Sequence, residues 1–205
     1  MPPTSPPTGH PTGPPTPTFG AVVLAGGTAA RLGGADKASI ELHGRTLLTH
    51  ALDAVLDAGE VVVLGDWVPT HRPVTFTRED PAHGGPAAGL LAGLDAFARR
   101  PLQIAVLAVD MPYVTMATIG RLREHSAGHD GAVLRGADGR RQLAMVLDTA
   151  RLAQVRPEYA AEHGLPMHRL LAPLDLVEVP ALGRESRDVD GWADLRELRE
   201  DGSST

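Results

Sequence analysis

The chain has 205 residues, a formal net charge of −6, 42% hydrophobic and 21% charged residues, and no cysteine. These figures exclude a disulfide scaffold, thiolate metal sites and a thiol nucleophile, and they leave no basic footprint of the kind that neutralises nucleic-acid phosphates or docks on anionic lipid. No apolar run reaches the roughly 18 to 20 residues of a bilayer span, and seven Phe, Trp and Tyr residues in all are too few for a base-stacking platform, so the expected partner is a small molecule, with no nucleic acid and no membrane.

Residues 1–18 hold eight prolines and five threonines without apolar periodicity. Such a composition cannot bury enough surface to offset chain entropy and reads as a disordered tail. It has neither the basic start nor the apolar segment of a secretory signal, so the cytoplasm is the expected compartment. Residues 19–200 read as a single domain and 201–205 as a flexible C-terminal tail. Within the domain, short β-branched runs at 21–24, 61–64, 74–77, 104–109, 132–134, 144–147 and 175–179 predict strands. Apolar residues three and four apart predict helices at 47–57, 87–99 and 116–125. Residues 166–171, with proline at the start, and 191–199 predict two more. Repetition of β-α-β predicts an α/β fold: three layers, α/β/α, around a doubly wound, mostly parallel sheet of Rossmann-like kind. Such sheets bind ligands beyond the carboxyl ends of their strands.

The first strand runs into Leu24-Ala25-Gly26-Gly27-Thr28-Ala29-Ala30-Arg31-Leu32-Gly33-Gly34-Ala35-Asp36-Lys37. Its glycines let backbone N–H groups approach an anion closely. Arg31 adds a forked cation and Lys37 a point charge, the equipment a triphosphate needs. The stretch matches neither GxxxxGK[ST] nor GxGxxG, which excludes an ordinary P-loop and a dinucleotide fingerprint. A second place is Ile104-Ala105-Val106-Leu107-Ala108-Val109-Asp110-Met111-Pro112: a strand buried on both faces that ends in a carboxylate able to hold Mg²⁺ against substrate phosphates. Asp188 and Asp190 precede the last helix, and two readings of Asp190 stay open. It folds back beside Asp110 as a second metal ligand, or it caps the helix. Gly84-Gly85-Pro86-Ala87-Ala88-Gly89 permits close approach of a base or ribose, or tight helix-to-sheet packing. No histidine pair has convincing metal-ligand spacing, and no GxSxG elbow supports a serine hydrolase.

On these residues the chain resembles the molybdenum cofactor guanylyltransferases, the MobA-type branch of the nucleotidyltransferases. The pattern LAGGxSxRxGGxDKA stands at residues 24–38 with Ala29 in the Ser place. Gly85-Pro86-Ala87-Ala88-Gly89 stands for GPLAG, Val109-Asp110-Met111-Pro112-Tyr113 for CDxPY, and Asp188-Val189-Asp190 for the start of NxNTPEDL. The resemblance implies transfer of GMP from GTP to the terminal phosphate of molybdopterin or its metal-loaded form, with release of pyrophosphate and with Mg²⁺ as cofactor. It implies nucleotide contacts from Leu24, Ala25, Gly26, Gly27, Lys37, Asp80 and Asp110, and a catalytic charge set of Arg31, Lys37 and Asp110, with Asp110 and Asp190 on the metal. Partners would be GTP, molybdopterin and, transiently, proteins that deliver or receive the cofactor. The chain departs from the pattern at Leu64-Gly65-Asp66, where the family has Asn and Asp66 is the replacement, and at Gly191-Trp192-Ala193 in place of Thr-Pro-Glu. Alternatives are a cytidylyltransferase for the same cofactor, a nucleotidyltransferase for another phosphorylated acceptor such as a sugar phosphate, and a non-catalytic nucleotide binder.

Overall fold

The structure, a computed structural model, describes residues 18–26 and 36–201. Phe19–Leu24 (β1) opens the chain order and is followed by a hairpin of Glu41–Leu42 (β2) and Arg45–Thr46 (β3), then Leu47–Ala54 (α1), Val61–Leu64 (β4), Thr75–Thr77 (β5) and Gly85–Asp95 (α2). The second half contains Gln103–Ala108 (β6), Met116–His125 (α3), Gly131–Arg135 (β7), Arg141–Asp148 (β8), Thr149–Val155 (α4), Met167–Leu171 (α5), Leu176–Pro180 (β9) and Trp192–Asp201 (α6). Seven strands form one sheet in the order β5-β4-β1-β6-β8-β7-β9. Pairings β1–β4, β1–β6, β4–β5 and β7–β9 are parallel, while β8 runs antiparallel to both β6 and β7.

Residues of the central strands alternate between two cores, as the period of two demands. Ala21, Val23, Val61, Val63, Ala105 and Leu107 face α1, α3 and α6 through Leu48, Leu52, Ile119, Leu122 and Leu195. Val22, Leu24, Val62, Leu64, Ile104 and Val106 face α2, α4 and α5 through Leu90, Leu94, Leu152 and Leu170. Both faces being covered, these strands read as continuous apolar runs rather than as polar–apolar alternation. The expected doubly wound, mostly parallel α/β sheet is therefore the observed one, and all seven expected strands are present.

Three differences have local causes. β7 and β8 do not form a β-α-β unit, because residues 136–140 are too few for a crossover and close a turn instead, with Gly136 N–H donating to the Arg140 carbonyl at 2.9 Å. Helix α1 stops at Ala54 rather than residue 57, since Leu56 and Ala58 amides turn back onto Asp53 and Val55 carbonyls. The β2–β3 hairpin was not expected: its two-residue strands carry no periodicity, and its signal is the pair His43 and Gly44, both with positive φ, as a two-residue I′-type loop requires.

Helix α2 sits close to the sheet because Gly93 leaves room for it. A Cβ there would stand 2.7 Å from Val22 Cγ1 and 2.8 Å from Leu64 Cδ2. Gly93→Val is expected to destabilise the fold by about 1–3 kcal/mol through overpacking, read as a lower urea midpoint with an unchanged slope. An unchanged midpoint would show that the helix does not rest on β1 and β4 at this distance.

Candidate active site

The carboxyl ends of four parallel strands are level. Leu24 pairs with Leu64 and with Ala108, and Leu64 pairs with Thr77. The chain leaves β1 toward β4 on one side and reaches β6 on the other, so the order of strands reverses at β1, the place where doubly wound sheets form a ligand crevice. A cleft of about 350 Å³ opens there, lined by Leu24, Gly26, Leu64, Ala108 and Asp110 from the strand ends and by Gly85, Pro86 and Gly89 from the start of α2.

Lys37 is placed by a 3₁₀ turn, Lys37–Ser39, that Asp36 caps by accepting from the Ala38 amide at 3.1 Å and from Ser39 Oγ at 2.8 Å. Its Nζ donates to Asp110 Oδ2 at 2.8 Å and to Asp190 Oδ1 at 3.4 Å. The closing segment is fastened to the end of β6 by backbone as well, with Val189 N–H donating to the Asp110 carbonyl at 2.9 Å. Asp190 thus lies beside Asp110 rather than at the start of α6. There Asp194, in the first turn of the helix, accepts with Oδ2 from the Asp190 and Gly191 amides at 3.0 and 2.8 Å. Partial burial pulls the Lys37 ammonium down, but Asp110, followed by Asp190, outweighs it and holds the group above its ordinary 10.5. On the lysine side the pairing is present below that value and is lost as pH rises past it. Asp188 is pushed up by burial and then by the carboxylates of Asp190, Asp110 and Asp194, a sign of how much negative charge gathers here.

The loop between β9 and α6 that carries Asp188 and Asp190 is anchored by Glu185, which is buried. Glu185 Oε1 accepts from Thr118 Oγ1 at 2.7 Å and Arg121 NH1 at 2.8 Å, and Oε2 accepts from Arg121 NH2 at 2.8 Å and the Leu182 amide at 2.7 Å. Thr118 is shared with the capping box of α3, where it also accepts from the Thr115 amide. Burial alone would push the Glu185 carboxyl up, but Arg121, the Leu182 amide and Thr118 together hold it below its ordinary 4.5.

Other sequence candidates lie elsewhere. Asp80 lines a neighbouring depression of about 300 Å³ with Arg156 and Tyr159, and its carbonyl accepts from the Tyr159 hydroxyl. Its neighbour Glu79 lines both that depression and the main cleft. Asp66 is exposed and paired with Arg78. Ala25 is buried and donates its amide to the Leu64 carbonyl at 2.8 Å. Gly27 and Arg31 lie outside the described residues, as do residues 1–17 of the expected N-terminal tail and 202–205 of the C-terminal one. Glu79, His83 and Leu143 line the cleft without having been expected. Among the described residues, no three His, Asp or Glu gather as a metal-binding group, and no helix is long and apolar enough to cross a membrane.

A mostly parallel doubly wound sheet, with a cation and two carboxylates meeting beside the cleft at its switch point, defines a nucleotidyltransferase. Residues 21–179 match the family model described as the MobA-like NTP transferase domain, and the chain belongs to that family. It is similar to a protein of Opitutus terrae called probable molybdenum cofactor guanylyltransferase, at 39% identity over 136 residues, 64% of this chain and 67% of the relative. A molybdenum cofactor guanylyltransferase of Rhodopseudomonas palustris is 30% identical over 82% of this chain and 94% of its own length. Among solved structures, the molybdopterin-guanine dinucleotide biosynthesis protein A of Archaeoglobus fulgidus superposes with a TM-score of 0.70 over 90% of this chain and 99% of its own, at 21% identity, a likeness of fold.

Replacing Glu185 by Gln removes the charge from a bonded, buried carboxylate and is expected to cost on the order of 2 kcal/mol. Because the carboxyl is held below 4.5, the gap between wild type and Glu185→Gln should be full above that pH and close as pH falls below it. Urea titrations from pH 7 to pH 3 check this, and a gap independent of pH would show that the carboxylate charge does not hold the loop.

Proposed function

We propose that the chain transfers GMP from GTP to the terminal phosphate of molybdopterin, or of its metal-loaded form, and releases pyrophosphate. The observation that carries the reading is Lys37 Nζ drawn to Asp110 and Asp190 at the end of β6, beside a cleft of nucleoside size. The names of the relatives supply the acceptor and the base.

The chemistry needs little more than these groups. An oxygen of the acceptor's terminal phosphate attacks the α-phosphorus of GTP, the bond from that phosphorus to the bridging oxygen breaks, and pyrophosphate leaves. Such a displacement asks chiefly for positioning and for neutralisation of charge spread over many oxygens. A phosphate monoester with a second pKa near 6 is already largely ionised at neutral pH, so no side chain need remove a proton. Lys37 exchanges its carboxylate partners for phosphate oxygens, and Arg31 is assigned to the same polyphosphate. The backbone of Leu24, Ala25, Gly26 and Gly27 is assigned to the nucleotide, as is Asp80.

Two carboxylates reaching one cationic point fit Mg²⁺, a hard cation that takes one or two protein carboxylates when phosphates and water supply its other oxygens. Asp110 and Asp190 would hold it, and it would neutralise charge developing on the phosphate oxygens. The same reading keeps the enzyme in the cytoplasm, with transient contacts to proteins that deliver or receive the cofactor.

Purified protein with Mg²⁺, molybdopterin and GTP is expected to release pyrophosphate and form the guanine dinucleotide. Release with CTP and none with GTP would overturn the base assignment. Asp110→Ala should lower kcat by about a hundredfold or more with an unchanged melting profile, and normal turnover at saturating Mg²⁺ would refute its role. Lys37→Ala should weaken GTP far more than guanosine in parallel titrations, and equal losses would refute a phosphate contact.

A further inference from the structure

A second cavity begins one residue from Lys37 and two residues from Asp190. It has a volume of about 320 Å³ and is lined by Asp36, Ser39, Ile40 and Glu41 on one wall and by Trp192 and Arg199 of α6 on the other. It shares no residue with the cleft of Leu24 and Gly89. Lys37 is bonded to Asp110, which lines the cleft, and follows in the chain Asp36, which lines the groove. Two trans peptide links separate Trp192 from Asp190, so their Cα atoms lie within about 7.6 Å.

The composition of the groove is specific. Trp192 and Arg199 are two turns apart on one stripe of α6, a span of about 10 Å. Below them Leu195 and Leu198 are buried in the core and fix the helix, whereas Trp192 keeps 45% of its surface exposed. A large aromatic left open in the first turn of a well-packed helix offers a π face. Arg199 NH2 donates to the Glu41 carbonyl at 2.7 Å and ties the two walls together. The Glu41 carboxylate itself engages no other side chain among the described residues, and nearly buried Ile40 supplies an apolar floor. A flat face, a floor without polar groups and one uncommitted acceptor together fit a planar heterocycle that presents adjacent N–H and amino donors.

We propose that this groove seats the ring system of the acceptor, a fused bicyclic aminopyrimidinone of the pterin class, with Trp192 stacked on its face and Glu41 accepting from its donor edge. The assignment rests on the guanylyl-transfer reading, from which the acceptor is taken. It also agrees with in-line displacement: the acceptor must reach the α-phosphorus from the side opposite the departing pyrophosphate. A groove walled by the residue before Lys37 and by the residue two beyond Asp190, and separate from the nucleotide cleft, offers such an approach.

Steady-state kinetics with GTP, Mg²⁺ and molybdopterin test the proposal. Trp192→Ala is expected to raise KM for the acceptor about tenfold, the usual size of a lost stacking contact, with kcat and KM for GTP unchanged, and Trp192→Phe should recover most of it. An unchanged acceptor KM in Trp192→Ala would overturn the groove while leaving guanylyl transfer standing. A second measurement does not depend on turnover. In the Trp67→Phe protein Trp192 is the sole indole, and neopterin should quench its emission saturably, severalfold more weakly when Glu41→Gln is added. Absence of saturable quenching, or quenching that Glu41→Gln leaves unchanged, overturns the proposal. If wild type transfers no GMP, the functional reading fails and the neopterin titration alone decides the groove.

Discussion

One ammonium holds the end of the sheet together. Lys37, Asp110 and Asp190 come from segments 73 and 153 residues apart, and two carboxylates brought this close would repel without a cation between them. The Asp188 carboxyl, two residues from Asp190, is raised first by burial and then by the same carboxylates. Each member is supplied by a different device: Asp110 by a strand buried on both faces, Lys37 by a turn that Asp36 caps, and Asp190 by a loop that Glu185 fastens to α3.

That arrangement has an electrostatic consequence. In the absence of ligand Lys37 is paired with two carboxylates, so its partly buried ammonium is not left alone, which would be costly. A polyphosphate carrying a divalent cation brings both signs of charge at once, an anion for the lysine and a cation for the aspartates. A lone anion would have to pull the lysine from its carboxylates, and a lone cation would have to displace it. The charge cluster therefore favours the paired ligand over either part.

Much of the fold was legible because its strands are covered on both faces: a run such as Val61 to Leu64 has no polar alternation to confuse with a helix. What was not legible is short or non-local. The β2–β3 hairpin has two residues per strand, and α4 has seven residues with Leu152 as its main apolar contact. At the site, Lys37 and Asp110 could be read from a glycine-rich bend and a strand that ends in a carboxylate. Whether Asp190 met them or capped α6 could not, since the answer turned on a contact between Lys37 and a residue 153 positions away. Glu79 and Asp80 illustrate the other limit. Both lie beyond β5, where the strand pattern has ended, and both line the neighbouring depression, but only Glu79 reaches the cleft as well. Leu143 enters the cleft only because β8 runs antiparallel beside β6, a pairing that no local pattern announces.

The level ends of β5, β4, β1 and β6 concentrate the chemistry on one rim. The opposite rim, where turns such as residues 98–100 join helix to strand, is exposed and makes no contact with either cavity. There a fluorophore or an affinity handle can be grafted while the working rim stays untouched.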